Sequence, residues 1–192
     1  MKTYSLQLAD NQLITYRDRK RHLWLLSMIY PLLALSGVGL YLATGSQWLL
    51  LTPLVSIYGG ASLFDWLLGT DKSNPPEELV PQLEEDPYYR WLPMLTVPLH
   101  VVVLVMIAGF TATHELNWLS ILVLALTAGL YSGLAINTAH ELGHKKTELE
   151  RRLARIAAGI SLYGHFCIEH NRGHHRHVAT PEDPASSRMG EN

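Results

Sequence analysis

Four long apolar stretches, set apart by polar breaks, give this chain its plan. Residues 23–43 carry no charged side chain, and 48–68 carry one acid, Asp65. Residues 92–110 are uncharged apart from His100, and 118–136 hold no ionisable group except Tyr131. At ~1.5 Å per residue each is long enough, as a helix, to cross a hydrocarbon layer about 30 Å thick. The short link Thr44-Gly45-Ser46-Gln47 makes the first two a helical hairpin. Residues 69–91 interrupt with Asn74-Pro75-Pro76-Glu77-Glu78 and Glu84-Glu85-Asp86-Pro87, whose prolines forbid a long helix. Its acids read as a solvated loop, with a docking surface as the alternative. Residues 153–168 are apolar but short and contain Arg155 and His165, which predicts a helix packed on the membrane face or partly embedded.

The expected fold class is therefore all-α. It is a polytopic membrane protein, one membrane domain over 1–192, with four transmembrane helices and a cytoplasmic metal-binding cap at 137–192. Composition agrees: 48% of the 192 residues are hydrophobic and only 17% charged, and the charges gather at the two ends and in one loop. A formal net charge of -2 gives no reason to expect nucleic acid. Five of the fifteen lysines and arginines precede the first stretch, two lie in the 69–91 loop and eight follow residue 136. With four crossings all fifteen fall on one side, which the positive-inside rule makes the cytoplasm, with both termini there. Residues 1–22 lack the early basic start and small-residue cleavage site of a signal peptide. The single cysteine, Cys167, excludes an intramolecular disulfide and a CxxC site, and reads as a small buried apolar residue.

Candidate chemistry is concentrated between residues 137 and 175. His140-Glu141-Leu142-Gly143-His144 places two imidazoles four apart, on one face of a helix, close enough to share a metal ion. Glu169-His170-Asn171-Arg172-Gly173-His174-His175 repeats the spacing with His170 and His174, and His175 adds an imidazole on the neighbouring face. Five imidazoles in so short a segment exceed one tetrahedral site and point to two metals; imidazole alone does not choose among iron, zinc, copper and nickel. Asn137, one turn before His140, is a candidate to hold a ligand ring by a hydrogen bond. Glu141 can serve the metal or pair with Lys145, and His165 and Glu169 are further candidates beside the second group. Asp65 and His100 lie inside apolar stretches, where ionisable groups are functional candidates by default. Snorkelling for Asp65 and an inter-helical hydrogen bond for His100 are the plainer accounts.

At these residues the chain resembles the integral-membrane alkane 1-monooxygenases of bacteria, within the histidine-box desaturase and hydroxylase superfamily. The resemblance is carried by Asn137-Thr138-Ala139-His140-Glu141-Leu142-Gly143-His144-Lys145-Lys146 and by Tyr163-Gly164-His165-Phe166 with 169–175. Val178-Ala179-Thr180-Pro181-Glu182-Asp183-Pro184, Ser187-Arg188-Met189-Gly190-Glu191, Asn74-Pro75-Pro76-Glu77-Glu78 and Thr96-Val97-Pro98-Leu99-His100 carry it further. It implies a multi-pass protein of the bacterial inner membrane with a non-haem diiron centre. His140, His144, His170, His174 and His175 would be iron ligands. The implied reaction inserts one oxygen atom of O2 into the terminal methyl of an alkane taken from the lipid, giving a primary alcohol. Electrons would come from rubredoxin, itself served by a reductase. Side-chain bulk around Ile57, Tyr58 and Gly60 is expected to bound the substrate channel. The family carries more histidine boxes downstream, so a C-terminally shortened form is expected here. The alternatives are a histidine-box fatty-acid desaturase or xylene-type monooxygenase, a membrane zinc protease using His140, Glu141 and His144, and an inactive metal-binding remnant.

Overall fold

The computed structural model describes residues 1–71, 73–187 and 190; Arg188, Met189 and Glu191 of the family-like continuation lie outside the described residues. The chain forms two compact units, the first Met1–Tyr131 and the second beginning at Ser132.

The first unit opens with a hairpin that the polar composition of residues 1–22 did not announce. Strands β1 (Lys2–Gln7) and β2 (Leu13–Asp18) pair antiparallel, with Tyr4 opposite Tyr16 and Leu6 opposite Ile14. Residues alternate across a strand, so Tyr4 is buried while Thr3 and Ser5 face out. The turn closes through Asn11 at φ 64°, a left-handed conformation that asparagine tolerates, and the Gln12 N–H donates to Asp10 Oδ1 at 3.0 Å.

Asp86 fastens this hairpin to the helices. Its carboxylate accepts from Lys2 Nζ at 2.8 Å, Tyr4 Oη at 2.5 Å, and both terminal nitrogens of Arg21 at 2.7 and 3.0 Å. It also accepts from the Tyr88 N–H at 2.9 Å, which makes it the N-cap of helix Pro87–Thr113, with a proline at the first helical position. The Arg21 guanidinium, with Lys2 and Tyr4, holds the Asp86 carboxyl well below the usual carboxylate range. Burial and the neighbouring Asp86 charge push the Tyr4 hydroxyl up to about 12. Asp86 is thus a buried, fully partnered anchor rather than a solvated loop acid.

The apolar stretches form the expected helices, with particular departures. Arg21–Leu33 and Ser36–Thr44 make one bent pair, turned by 53°. Pro31 removes one N–H from the ladder, and the N–H groups of Ala34 and Leu35 turn to carbonyls three residues back, so the helix bends there. The second arm lies backbone against backbone on the following turn: a Cβ at Gly37 would come 2.9 Å from the Leu50 carbonyl oxygen. Gln47–Leu68 runs continuously but contains a π-helical turn, Ser56–Ala61. Pro87–Thr113 begins before residue 92, because Asp86 and Pro87 supply a cap and an N1 proline that the acidic loop had hidden. Trp118–Gly143 is capped by Asn117, whose Oδ1 accepts the Ser120 N–H at 2.8 Å, and continues through His140 to end one residue short of His144.

Among the described residues, three helices are long and apolar enough to cross a membrane alone, and the bent pair makes a fourth candidate if its two arms are one span. The molecule is a mostly helical, polytopic membrane protein. Its connections gather as alternate crossings require. Gln47 Oε1 accepts from the Asn117 N–H at 3.0 Å and the Ser120 hydroxyl at 2.7 Å, joining one pair of turns. Arg21 with Asp86, and Lys20 with Asp71, join the other ends.

In the second unit, helix Glu148–Ile160 starts at a Thr-x-x-Glu cap, Thr147 Oγ1 accepting the Glu150 N–H at 3.4 Å and donating to its carboxylate at 2.6 Å. Ala154, Ala157 and Ala158 are fully buried, as are Ala135, Ala139 and Leu142 of the long helix, and the Ser161 hydroxyl donates to the Ser132 carbonyl at 2.5 Å. The helix then stops. Leu162 turns left-handed at φ 58°, and the Tyr163 N–H reaches back to the Ala158 carbonyl at 3.0 Å, a Schellman ending. The single helix expected over 153–168 is therefore two, the second resuming at Phe166–Ile168.

Candidate metal centre

The histidine groups meet within the second unit. His140 lies on the last turn of Trp118–Gly143 and His144 just beyond it; their Nε2 atoms are 3.1 Å apart. Opposite them the chain continues from Phe166–Ile168 into a π-helical turn, Glu169–His174, and then His175–His177. A π-turn repeats at five residues rather than four, so His170 is aligned with His175 and not with His174. The Nε2 atoms of His170 and His175 are 2.9 Å apart, and His170 Nε2 lies 3.3 Å from His144 Nε2. The ligand atoms of His140, His144, His170 and His175 all fall within 4.8 Å of one another. The expected pairing of His170 with His174 on one face is corrected by the π-turn.

Four imidazole nitrogens converge with no carboxylate among them. A tetrahedral ion bound at about 2.0–2.1 Å separates its nitrogen ligands by roughly 3.3 Å, close to these three contacts, so the donor set suits a transition metal. Burial, then the neighbouring imidazoles, push His170 down to about 4, and the same causes lower His144. Both shifts favour the neutral ring, the form that a metal binds. The Phe166 ring stacks on His170, centroids 5.0 Å apart and planes 16° apart, and covers one side of the cluster.

His174 stands beside this group. Its ring stacks on His170 at 5.4 Å, but its Nδ1 is held by both Asp183 carboxylate oxygens, at 3.0 and 2.9 Å. Asp183 also accepts from the Ala185 N–H at 2.9 Å and the Ser186 hydroxyl at 2.6 Å. The Ser186 bond, with Ala185 and His174, holds its carboxyl well below the ordinary range. Gly173 lets this loop close in: a Cβ there would meet Pro184 Cγ at 3.0 Å. Asp183 was not among the residues singled out from sequence. Its signal was an acid in a Thr-Pro-Glu-Asp-Pro turn shortly after a histidine box.

Within this unit the other candidates have partners or surroundings of their own. Glu141 is exposed, its Oε2 3.7 Å from Lys145 Nζ, which is the plain i,i+4 reading of that acid. Asn137 is exposed. His165 Nε2 lies 3.6 Å from Glu169 Oε2, and Glu169 accepts from the Tyr163 hydroxyl at 3.2 Å. Cys167 is half-buried against Gly143, and burial pushes its thiol up, away from nucleophile chemistry. Asp65 and His100 belong to the first unit. Asp65 is exposed, whereas His100 is buried and shares a 2.9 Å hydrogen bond between its Nε2 and the Tyr30 hydroxyl. Ile57, Tyr58 and Gly60 all lie in the π-turn Ser56–Ala61, with Tyr58 exposed and the other two half-buried.

Comparison with known proteins follows the same residues. The Fatty acid desaturase family model matches residues 116–192, the segment holding both histidine groups. Alkane 1-monooxygenase 1 of Alcanivorax borkumensis is 51% identical over 185 residues, covering 95% of this chain and 45% of the relative. The Alkane 1-monooxygenases of Ectopseudomonas oleovorans and Pseudomonas putida are 49% and 48% identical, each over 92% of this chain and 44% of the relative. The chain thus spans less than half the length of these curated relatives. Over nearly all of its own length it is similar to these alkane 1-monooxygenases, and from residue 116 onward it matches the Fatty acid desaturase model.

Proposed function

We propose that this chain carries the membrane and first metal-binding part of an alkane 1-monooxygenase that converts the terminal methyl of an alkane to a primary alcohol. The observation that carries the reading is the convergence of His140, His144, His170 and His175 within 4.8 Å, with no carboxylate in the group. The homologues supply the substrate class, as alkane 1-monooxygenases are what their names describe. The resemblance implies two iron ions, with His174 joining the four clustered imidazoles as ligand. Bound iron would supply the activation of O2 that breaks an unactivated C–H bond.

The chain's own residues do the rest. The π-turn Glu169–His174 sets His170 and His175 against the i,i+4 pair His140 and His144. Phe166 shields one side of His170 from water. The apolar crossings, with Ile57, Tyr58 and Gly60 on the second, offer an alkane a route from the lipid. Placing the basic residues on the cytoplasmic side of the bacterial inner membrane, with both termini there, opens the centre to a soluble electron donor, which the resemblance identifies as rubredoxin. One membrane domain over 1–192, with its metal-binding cap at 137–192, is the arrangement this reading takes.

Membranes containing the protein, given an n-alkane, reduced rubredoxin and 18O2, are expected to yield 18O-labelled primary alcohol, and His170→Ala none. A desaturated acyl chain as the product would instead favour the desaturase reading, for which the family match speaks. Zinc without iron, with no labelled alcohol, would overturn both. Ile57→Trp is expected to shorten the range of alkanes accepted.

A further inference from the structure

The four clustered imidazoles account for His140, His144, His170 and His175, and leave His174 turned aside. It is not idle. Its side chain is 28% exposed, while the Asp183 carboxylate that holds it is wholly buried and bonded to the Ala185 N–H and the Ser186 hydroxyl. Both carboxylate oxygens lie within 3.0 Å of Nδ1. A carboxylate only accepts, so Nδ1 carries the proton and donates it. A neutral ring protonated there has its lone pair on Nε2, the nitrogen left for a metal.

We propose that Asp183 is a positioning residue for the metal centre: it accepts the Nδ1–H of His174 and so fixes that ring's tautomer and direction, with Nε2 as the metal-binding nitrogen. The inference rests on the metal-centre reading above and deepens it. Several features of this chain support it. The π-turn frees His174 from the His170–His175 face, yet keeps its ring 5.4 Å and 5.5 Å from theirs, so it borders the cluster without entering it. The loop is close-fitted to the turn at Gly173 and Pro184, which holds the carboxylate in place. Partners of this kind raise ligand basicity, and their loss typically costs about 10–100-fold in metal affinity.

Anaerobic Fe(II) titration of the full chain in detergent tests this. Asp183→Ala is expected to weaken binding about 10–100-fold, and His174→Ala by at least as much. The double variant should be no worse than His174→Ala alone, since Asp183 acts only through that ring. Ser186→Ala, which removes a bond to the loop but leaves His174 held, should stay within about twofold of the unsubstituted protein, and circular dichroism confirms folding of each. Unchanged affinity in Asp183→Ala overturns the proposal. So does an equal loss from Asp183→Ala in the His174→Ala background, or a loss in Ser186→Ala as large as in Asp183→Ala, because either marks a loop-holding role. If the unsubstituted chain binds no Fe(II), the metal-centre reading itself fails. If it binds and only the Asp183 effects are missing, that reading stands and this inference falls.

Discussion

Two polar clusters in this molecule are built on opposite rules. Around Asp86, unlike groups meet: one buried carboxylate receives Lys2, Tyr4, both arms of Arg21 and a backbone N–H. Around His170, like groups meet: four imidazoles linked by nitrogen contacts of 2.9–3.3 Å, all within 4.8 Å, with no acid among them. The first is complete as it stands, and its evident work is to hold the N-terminal hairpin on the helices. The second gathers ring nitrogens in a donor set that suits a cation. A cluster that answers its own charges reads as structure, and one that leaves its lone pairs converging reads as a site.

Substitutions can break that contrast. The largest effect is expected from His170→Ala, which removes the ring shared by both pairs. Fe(II) affinity should fall by more than about 100-fold, because the loss of a mere partner of a ligand already costs up to that much. Without metal the variant should keep its fold, read by circular dichroism. Asp86→Ala comes next and should do the reverse, costing about 2–3 kcal/mol by stranding Arg21 and Lys2 while leaving Fe(II) affinity alone. Limited proteolysis of the hairpin would read it.

The pH response sharpens the picture. Asp86 is held below its unfolded value, so its contribution is present above about pH 4 and is lost as pH falls further. Tyr4 is raised to about 12 from an unfolded value near 10, so the fold favours the neutral phenol. That contribution is intact below pH 10 and lost between pH 10 and 12. Hairpin protection from hydrogen exchange should therefore weaken across that alkaline window, and in Tyr4→Phe, which costs about 1–2 kcal/mol at neutral pH, that phenol-dependent loss should be absent. The smallest effect is expected from Lys145→Ala. Its pairing with exposed Glu141 is worth less than ~0.5 kcal/mol, and neither stability nor Fe(II) affinity should move by more than that implies.

Much of this was legible along the chain, for reasons that also say why the rest was not. Uninterrupted apolar length is a one-dimensional property, so the stretches at 23–43, 48–68, 92–110 and 118–136 could be seen without their surroundings. The i,i+4 pair His140 and His144 is likewise local, because an ordinary α-helix fixes it. The second histidine group looked the same and was not. Whether 169–174 winds with a four- or five-residue repeat depends on packing, and that choice exchanges His174 for His175 as the partner of His170. Asp86 was hidden because its partners Lys2 and Arg21 lie 84 and 65 residues away. Asp183 was hidden because a turn acid after a histidine box announces nothing until its loop is folded back. The hairpin did carry a faint signal, alternation around Tyr4 and Leu6 and an Asp10-Asn11 turn, within a segment that composition alone made look merely polar.

The central claim is that His140, His144, His170 and His175 form one cation site. Anaerobic Fe(II) titration of the purified full chain, beside its His170→Ala variant, tests it most directly. The account predicts tight binding by the first and its loss in the second with the fold retained. Equal occupancy in the two proteins, or none in either, would contradict it.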